Sequence, residues 1–205
     1  MKKTLIFFTI TILISFPLSS VAYASFIDFE DLNYEYAPHL LPSSNGYEGY
    51  GKIPNEYGGL SWDSNSFWMT KDYMPNSGYQ LGTIDNVSMF NGWGRDVSMS
   101  LNSDGYFSSI EMYLTMARDT SEVIVEGWEN NILLYTNSIT VYSDKKTFFD
   151  FNIPEGIDTF KLRPDDSQMV IDNINYNTTP IKIPNTLFLL GSVLFTTIAL
   201  KKRTK

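Results

Sequence analysis

The sequence predicts an all-β fold, a single antiparallel β-sandwich. Between Ser108 and Ala117 every second residue is apolar: Ile110, Met112, Leu114 and Met116. This alternation is the period of a strand with one buried face. Turn-forming pairs such as Asn91-Gly92 recur between short apolar runs, and no pattern between the two apolar termini predicts a helix longer than about two turns. Many short strands separated by turns are typical of a sandwich.

The predicted strands follow one another along the chain. They are Phe26–Leu32, Leu60–Met69, Val87–Phe90, Val97–Leu101, Ser108–Ala117, Glu122–Trp128, Ile132–Tyr142, a run containing Phe149, Phe151 and Ile153, Phe160–Leu162, and Met169–Tyr176. Glu129-Asn130-Asn131 predicts a tight hairpin, because asparagine tolerates the positive φ that such turns require. Pro154-Glu155-Gly156 and Pro164-Asp165-Asp166 are predicted to end the strands before them.

The first 24 residues have the pattern of a secretory signal peptide. A basic Met1-Lys2-Lys3 precedes an apolar stretch from Leu5 to Phe16. Ala22 and Ala24 flank one residue in a small-x-small cleavage site, so we expect cleavage before Ser25. An uncleaved N-terminal anchor is the alternative.

Residues 178–205 form a linker, an apolar segment and a basic end. The segment 181–200 reaches the roughly 20 residues that cross a bilayer, which predicts a C-terminal transmembrane helix. The basic cluster from Lys201 to Lys205 predicts that this end stays in the cytoplasm and that the domain before it faces outward. A buried core helix is the alternative, although a core helix would not end in a basic cluster at the last residue of the chain.

Residues 25–177 have the length of a single domain that can bury a core. The whole chain carries a formal net charge of −8, and most of its lysines and arginines at the two ends lie outside this domain. An acidic domain argues against nucleic acid and anionic lipid as partners. The chain has no cysteine, so its stability must come from core packing or from a bound metal.

Three short motifs are arranged along the tail. Ile183-Pro184-Asn185-Thr186 comes first, Leu189-Leu190-Gly191-Ser192 lies in the apolar run, and Lys201-Lys202-Arg203 follows it. This layout resembles the PEP-CTERM sorting signal of exported bacterial proteins. The resemblance implies processing at Pro184, Asn185 and Thr186 by an exosortase, a membrane-embedded transpeptidase. The protein would then pass from the inner membrane to the cell surface or the extracellular matrix. The motif here has one proline and no glutamate, so a permanent tail anchor is the alternative.

Further motifs follow in order along the predicted sandwich. They are Tyr57-Gly58-Gly59-Leu60-Ser61-Trp62, Asn76-Ser77-Gly78-Tyr79, Phe90-Asn91-Gly92, Val125-Glu126-Gly127-Trp128 and Ile171-Asp172-Asn173-Ile174-Asn175-Tyr176. This order resembles that of small exported bacterial domains with a galactose-binding-like jelly-roll fold, which often carry PEP-CTERM tails. The resemblance covers most of Phe26–Tyr176 and implies that the sandwich is such a jelly roll.

One acidic residue is expected in the core. Asp172 lies on the same face of the last predicted strand as three apolar residues: Val170, Ile174 and Tyr176. A buried carboxylate must be paired, hydrogen-bonded or bound to a metal. Galactose-binding-like jelly rolls often hold a structural Ca²⁺ where the first and last strands meet, so the resemblance implies a calcium site with the ligands Glu30, Asp31 and Asp172. The alternative is that Asp172 accepts hydrogen bonds from local backbone amides.

Aromatic rings near predicted turns are the candidate ligand contacts, since sugars stack their apolar faces on Trp and Tyr. The candidates are Trp68, Trp93, Tyr57 and Tyr79, and the alternative is that the tryptophans belong to the core. A histidine-based catalytic site would depend on His39, the single histidine, so we predict no catalytic residues.

Together these patterns predict a non-catalytic exported protein of the cell surface or extracellular matrix that binds extracellular polysaccharide. Two alternatives remain open. One is an exported glycoside hydrolase or lyase on a jelly-roll fold, and the other is a purely structural envelope protein.

Overall fold

The computed structural model of the protein describes residues 23–32, 41–43 and 46–180. The strands are β1 Tyr23–Ile27, β2 Leu41–Ser43, β3 Gly46–Glu48, β4 Tyr50–Lys52, β5 Glu56–Tyr57, β6 Leu60–Trp62, β7 Ser66–Thr70, β8 Val87–Asn91, β9 Val97–Leu101, β10 Tyr106–Met116, β11 Ser121–Glu129, β12 Ile132–Val141, β13 Thr147–Ile157, β14 Thr159–Pro164 and β15 Met169–Thr179. One short helix, α1, spans Gly78–Gly82, and a 3₁₀ turn spans Gly92–Gly94.

The strands form two antiparallel sheets, which confirms the predicted β-sandwich. The first sheet has seven strands in the order β13-β10-β15-β8-β7-β4, and β1 also pairs with β15. The second has six strands in the order β12-β11-β14-β9-β6-β5. Strands β2 and β3 form a separate hairpin.

The main core lies between the two sheets. The predicted alternation along β10 is confirmed, because its even-numbered apolar residues from Ile110 to Met116 are fully buried there. Phe151 of β13 and Phe160 of β14 meet across the sheets with their ring centroids 5.3 Å apart. The predicted hairpin between β11 and β12 is also confirmed, with positive φ at Asn130 and Asn131.

Three predicted strand boundaries differ clearly from the structure. The predicted strand Phe26–Leu32 is β1, which begins at Tyr23 and ends at Ile27. The run Leu60–Met69 is two strands in different sheets, because the Asp63 carboxylate accepts hydrogen bonds from the backbone amides of Asn65 and Ser98 and so stabilises a turn between them. Strand β13 does not end at Pro154 but continues to Ile157. Its register with β10 shifts there, and an edge strand tolerates a proline at such a bulge.

A bulge in β15 changes the predicted position of Asp172. The register between β15 and β10 shifts at this point, and Asn173 has a φ of 49°. A bulge moves the residues on its two sides out of phase. Ile174 and Tyr176 therefore face the main core, whereas Asp172 lies with Val170 on the outer face of the sheet. The prediction that all four share one face is wrong for this reason.

Most of the predicted export signals fall on residues that the structure does not describe. Ala22, the sorting motif Pro184-Asn185-Thr186 and the predicted transmembrane segment 181–200 all lie outside the described residues. Ala24 lies in β1, where it pairs with Asn177 of β15. Within the described ranges, no helix combines the length and apolar character needed to cross a bilayer.

Candidate ligand-binding site

The outer face of the seven-stranded sheet carries a second apolar cluster, rich in aromatic rings. Along β7, Trp68 points into the main core, so its neighbours Phe67 and Met69 point outward. The Phe67 ring lies 5.7 Å from that of Phe90 on the adjacent strand β8. Tyr50, from β4 on the other side of β7, lies 6.3 Å from Phe67. Three neighbouring strands thus supply one continuous aromatic surface.

This surface forms a cleft with a volume of about 190 Å³, which we call the aromatic cleft. Its lining is mostly aromatic or apolar: Tyr50, Phe67, Met69, Tyr73, Met74, Tyr79, Phe90, Gly92, Trp93 and Gln168. Such a volume lies below the roughly 300–1,000 Å³ of pockets that enclose a drug-sized ligand. The cleft is therefore suited to one ring-sized group of a larger ligand.

Trp93 stands at the rim of the aromatic cleft. It is 73% exposed, and its ring lies 5.3 Å from that of Phe67 at an angle of 82°. Its φ of 54° is uncommon for a residue with a large side chain. Neither flanking glycine leaves room for a side chain. A Cβ on Gly92 would lie 2.5 Å from the Phe67 ring, and a Cβ on Gly94 would lie 2.4 Å from the Asp166 carbonyl oxygen. The Gly-Trp-Gly sequence thus presents the indole to solvent at this point.

Asn91 fixes the turn that carries Trp93. Its Nδ2 donates to the carbonyl oxygens of Arg95 (2.8 Å) and Ser167 (3.1 Å), and its Oδ1 accepts from the Met169 amide at 2.6 Å. The side chain is fully buried, so each of these bonds replaces contact with water. The turn after β8 is thereby tied to the loop before β15.

Helix α1 supplies Tyr79 to the opposite wall. It lies directly against β10, because the Gly78 amide donates to the Ala117 carbonyl oxygen at 3.1 Å and a Cβ on Gly78 would lie 1.9 Å from the Met116 carbonyl oxygen. Burial raises the pKa of Tyr79 to about 12, although nearby Arg118 opposes the shift, and burial also raises the pKa of Tyr73. Both hydroxyls are therefore neutral at physiological pH and can act as hydrogen-bond donors.

The structure brings two of the four predicted ligand contacts together and separates the others. Trp93 and Tyr79 both line the aromatic cleft. Trp68 is only 1% exposed in the main core, so it offers no face to a ligand and its prediction is corrected. Tyr57 lies in the other sheet, where its hydroxyl donates to Asp31. Its pKa is raised by burial and by that hydrogen bond.

The four predicted ligand contacts do not include three aromatic residues that line the cleft from strands: Tyr50, Phe67 and Phe90. One signal was available in the sequence. Phe67-Trp68-Met69 is an apolar run without alternation, which indicates a strand that is covered on both faces, and in the structure all three residues are buried. That reading would have placed Phe67 on a second, outer cluster.

Asp172 accepts hydrogen bonds from backbone amides, which is the arrangement predicted from the sequence as the alternative to a metal site. Its Oδ2 accepts from the Ile84 amide at 2.7 Å, and its Oδ1 accepts from the Asn173 amide at 2.8 Å. Burial raises its pKa to about 7 despite these two bonds, and the negative charges of Glu30 and Asp85 raise it further. The carboxyl group is thus protonated over part of the physiological pH range.

The other two predicted calcium ligands also bind groups of the protein. Glu30 accepts hydrogen bonds from the amides of Asn86 and Val87, both at 2.8 Å, and Asp31 accepts from Tyr57. In the described part of the chain, no group of three or more His, Cys, Asp or Glu residues is arranged to hold a metal ion. The arrangement therefore gives no support to a Ca²⁺ site at Glu30, Asp31 and Asp172, and that site remains a prediction.

Comparisons with known proteins give only distant structural likenesses. No protein-family model and no curated protein matches the chain. It is similar to a family 29 carbohydrate binding module, with 12% identity and a TM-score of 0.37 over 82% of this chain and 98% of that chain. It is also similar to the CBM22-1 xylan-binding domain from Paenibacillus barcinonensis Xyn10C, with 12% identity and a TM-score of 0.39 over 62% of this chain and 89% of that chain. At these TM-scores neither likeness decides the function, which is inferred below from the geometry of the chain itself.

Proposed function

We propose that the aromatic cleft binds a sugar ring of an extracellular polysaccharide, and that the protein is a non-catalytic carbohydrate-binding protein. The observation that carries this proposal is Trp93, a tryptophan kept 73% exposed in a left-handed backbone conformation. Leaving a large apolar ring in water forgoes hydrophobic stabilisation, and a non-glycine residue at positive φ costs about 1–3 kcal/mol. Such features concentrate at binding sites, where the surroundings hold the residue in place.

The chemistry of the cleft matches that of a sugar. A pyranose ring has an apolar C–H face, which packs against an aromatic ring, and hydroxyl groups around its edge. Trp93 and Tyr50 supply aromatic surface, while the neutral hydroxyls of Tyr73 and Tyr79 and the amide of Gln168 supply hydrogen-bonding groups. These groups hold a sugar ring by contact and hydrogen bonding, so binding is the activity that the cleft supports best.

The sequence supports a location where polysaccharide is present. A signal peptide and a PEP-CTERM-like tail would export the protein, anchor it in the inner membrane through residues 181–200, and deliver it by way of an exosortase to the cell surface or matrix. The ligand would then be the exopolysaccharide that surrounds the cell.

A glycan array with the purified protein tests the proposal. We expect binding to at least one polysaccharide class, and Trp93→Ala should weaken it about 30-fold, since the loss of a central tryptophan typically costs about 2 kcal/mol or more. Phe148→Ala is the matched control, because Phe148 is also an exposed aromatic residue but lies in β13, away from the cleft. Ligand should also protect the tryptophan fluorescence from acrylamide quenching, since Trp93 is the exposed indole. Equal binding by Trp93→Ala and the unaltered protein would contradict the proposal.

A further inference from the structure

A groove with a positive charge lies near the aromatic cleft on this acidic protein. It has a volume of about 740 Å³, and its lining brings together three cationic side chains: Lys71, Arg118 and Lys146. Its other described lining residues are polar or apolar, and none of them is acidic. We call it the basic groove. On a chain of net charge −8, three cations around one concave surface are a local excess of positive charge that attracts anions, even with the Asp72 carboxylate beside it, which accepts a hydrogen bond from Gln80 of the groove.

These cations are not neutralised by ion pairs within the part of the chain that the structure describes. The ion pairs found there join Lys161 and Arg163 to Asp96 and Glu126. Lys71 is held in place by one hydrogen bond, from its Nζ to the Ile84 carbonyl oxygen at 3.1 Å. An ammonium group has three donors, so Lys71 is positioned by the protein and keeps donors for a ligand.

A third cleft, which we call the connecting cleft, shares lining residues with both the basic groove and the aromatic cleft. It has a volume of about 350 Å³. Trp93 and Gln168 line both this connecting cleft and the aromatic cleft, while Arg118 lines both the connecting cleft and the basic groove. The connecting cleft also contains Asp119 and Asp166, whose carboxylates accept hydrogen bonds from sugar hydroxyls and repel a sugar carboxylate, so a sugar chain must turn its hydroxyls toward them. A single sugar chain that packs on Trp93 can therefore continue past Arg118 into the basic groove.

We propose that these three surfaces form one binding site for an acidic polysaccharide, whose uronic-acid carboxylates pair with Lys71, Arg118 and Lys146 while a neighbouring sugar ring packs in the aromatic cleft. The inference rests on the proposed function and adds the class of ligand. Three cations that line one groove of this size can pair with several carboxylates, and a polymer with a charge on each sugar supplies them. Arg118 also lines the connecting cleft, and an arginine can form a bidentate pair with a carboxylate.

The test compares one oligosaccharide in two charge states. Oligogalacturonate and its carboxyl-reduced counterpart have the same backbone and differ only in the carboxylate. Their affinities for the full-length protein are measured by calorimetry at low and high salt. We expect the charged form to bind at least tenfold more tightly at low salt, and added salt to reduce this difference because it screens the ion pairs.

Two variants separate the charge contribution from stacking. Arg118→Gln should weaken binding of the charged form about tenfold and leave binding of the reduced form unchanged. Lys145→Gln is the matched control, because it removes one positive charge from the same β12–β13 turn as Lys146 but does not line the groove. Trp93→Ala should weaken both forms.

The outcomes distinguish this inference from the proposed function. Equal affinity for the two oligosaccharides, or an equal effect of Arg118→Gln on both, would overturn the acidic-ligand proposal even if Trp93→Ala still weakens binding. If Trp93→Ala leaves both affinities unchanged, the aromatic cleft is not the binding site and the proposed function fails with it. Absence of binding to both forms overturns the acidic-ligand proposal, and the glycan array then decides the proposed function.

Discussion

Stability should fall as the pH rises from about 5 to about 8, because Asp172 loses its proton in that range. In an unfolded chain an aspartate has a pKa of about 3.9, whereas burial raises the pKa of Asp172 to about 7 in the folded protein. Between these two values the folded state holds a proton that the unfolded state has released. The stabilisation from this proton is therefore fully present below about pH 3.9 and is lost as the pH passes 7.

The size of the effect follows from the difference between the two pKa values. A difference of about 3 pKa units corresponds to about 4 kcal/mol in all, of which about 3 kcal/mol is lost between pH values of about 5 and 8. This loss is large beside the 5–15 kcal/mol that stabilises a typical domain. With an m-value of about 2 kcal/mol/M, it lowers the urea midpoint by about 1.5 M.

Urea titrations at several pH values, comparing the purified protein with Asp172→Asn, test this prediction. Asparagine has nearly the same shape and cannot titrate. Its amide nitrogen will face one of the two backbone donors, so the variant pays a constant cost but loses the pH dependence. Asp150→Asn is the control, because Asp150 is an exposed carboxylate on β13. Parallel pH profiles for the unaltered protein and Asp172→Asn would refute the reasoning.

Two further predictions concern calcium and the tail. If Ca²⁺ binds at the predicted carboxylates, it stabilises the folded state alone, so EDTA should lower the Tm by several degrees; identical melting curves with Ca²⁺ and with EDTA would exclude the site. If an exosortase processes the tail, the intact mass of protein extracted from the envelope should lack residues 187–205, and a mass that includes Lys201–Lys205 would mean a permanent anchor.

The fold was predictable from the sequence where one face of a strand is buried and the other is not. The alternation in β10 has that cause, and it identified the buried residues correctly. Two features were missed. The polar cluster Asp63-Ser64-Asn65-Ser66 is a turn signal between two apolar segments, and the prediction of one strand from Leu60 to Met69 passed over it. The bulge at Asn173 adds one residue within β15, and the alternation of side chains in the sequence does not show it; it is visible in the structure from the register shift and from the φ of 49°.

The candidate site was predictable only in part, because its residues meet through the order of strands in a sheet. The flanking glycines made Trp93 recognisable as a turn residue. Tyr50, Phe67 and Phe90 lie on strands β4, β7 and β8, which are neighbours only because β7 pairs with both of the others. Sequence period shows which residues share a face of one strand, but it does not show which strands are adjacent.

Two of the carboxylates predicted as metal ligands, Glu30 and Asp172, help to shape the aromatic cleft. The bulge at Asn173 turns Asp172 toward Ile84, and Glu30 binds the amides of Asn86 and Val87, so the two acids hold the same loop at both ends. This loop joins α1, which carries Tyr79, to β8, which carries Phe90, and the two rings are 5.7 Å apart. Strand β15 and the segment after β1 therefore fix the distance between two walls of the aromatic cleft. Acids that bind backbone amides can thus shape a ligand site without touching the ligand.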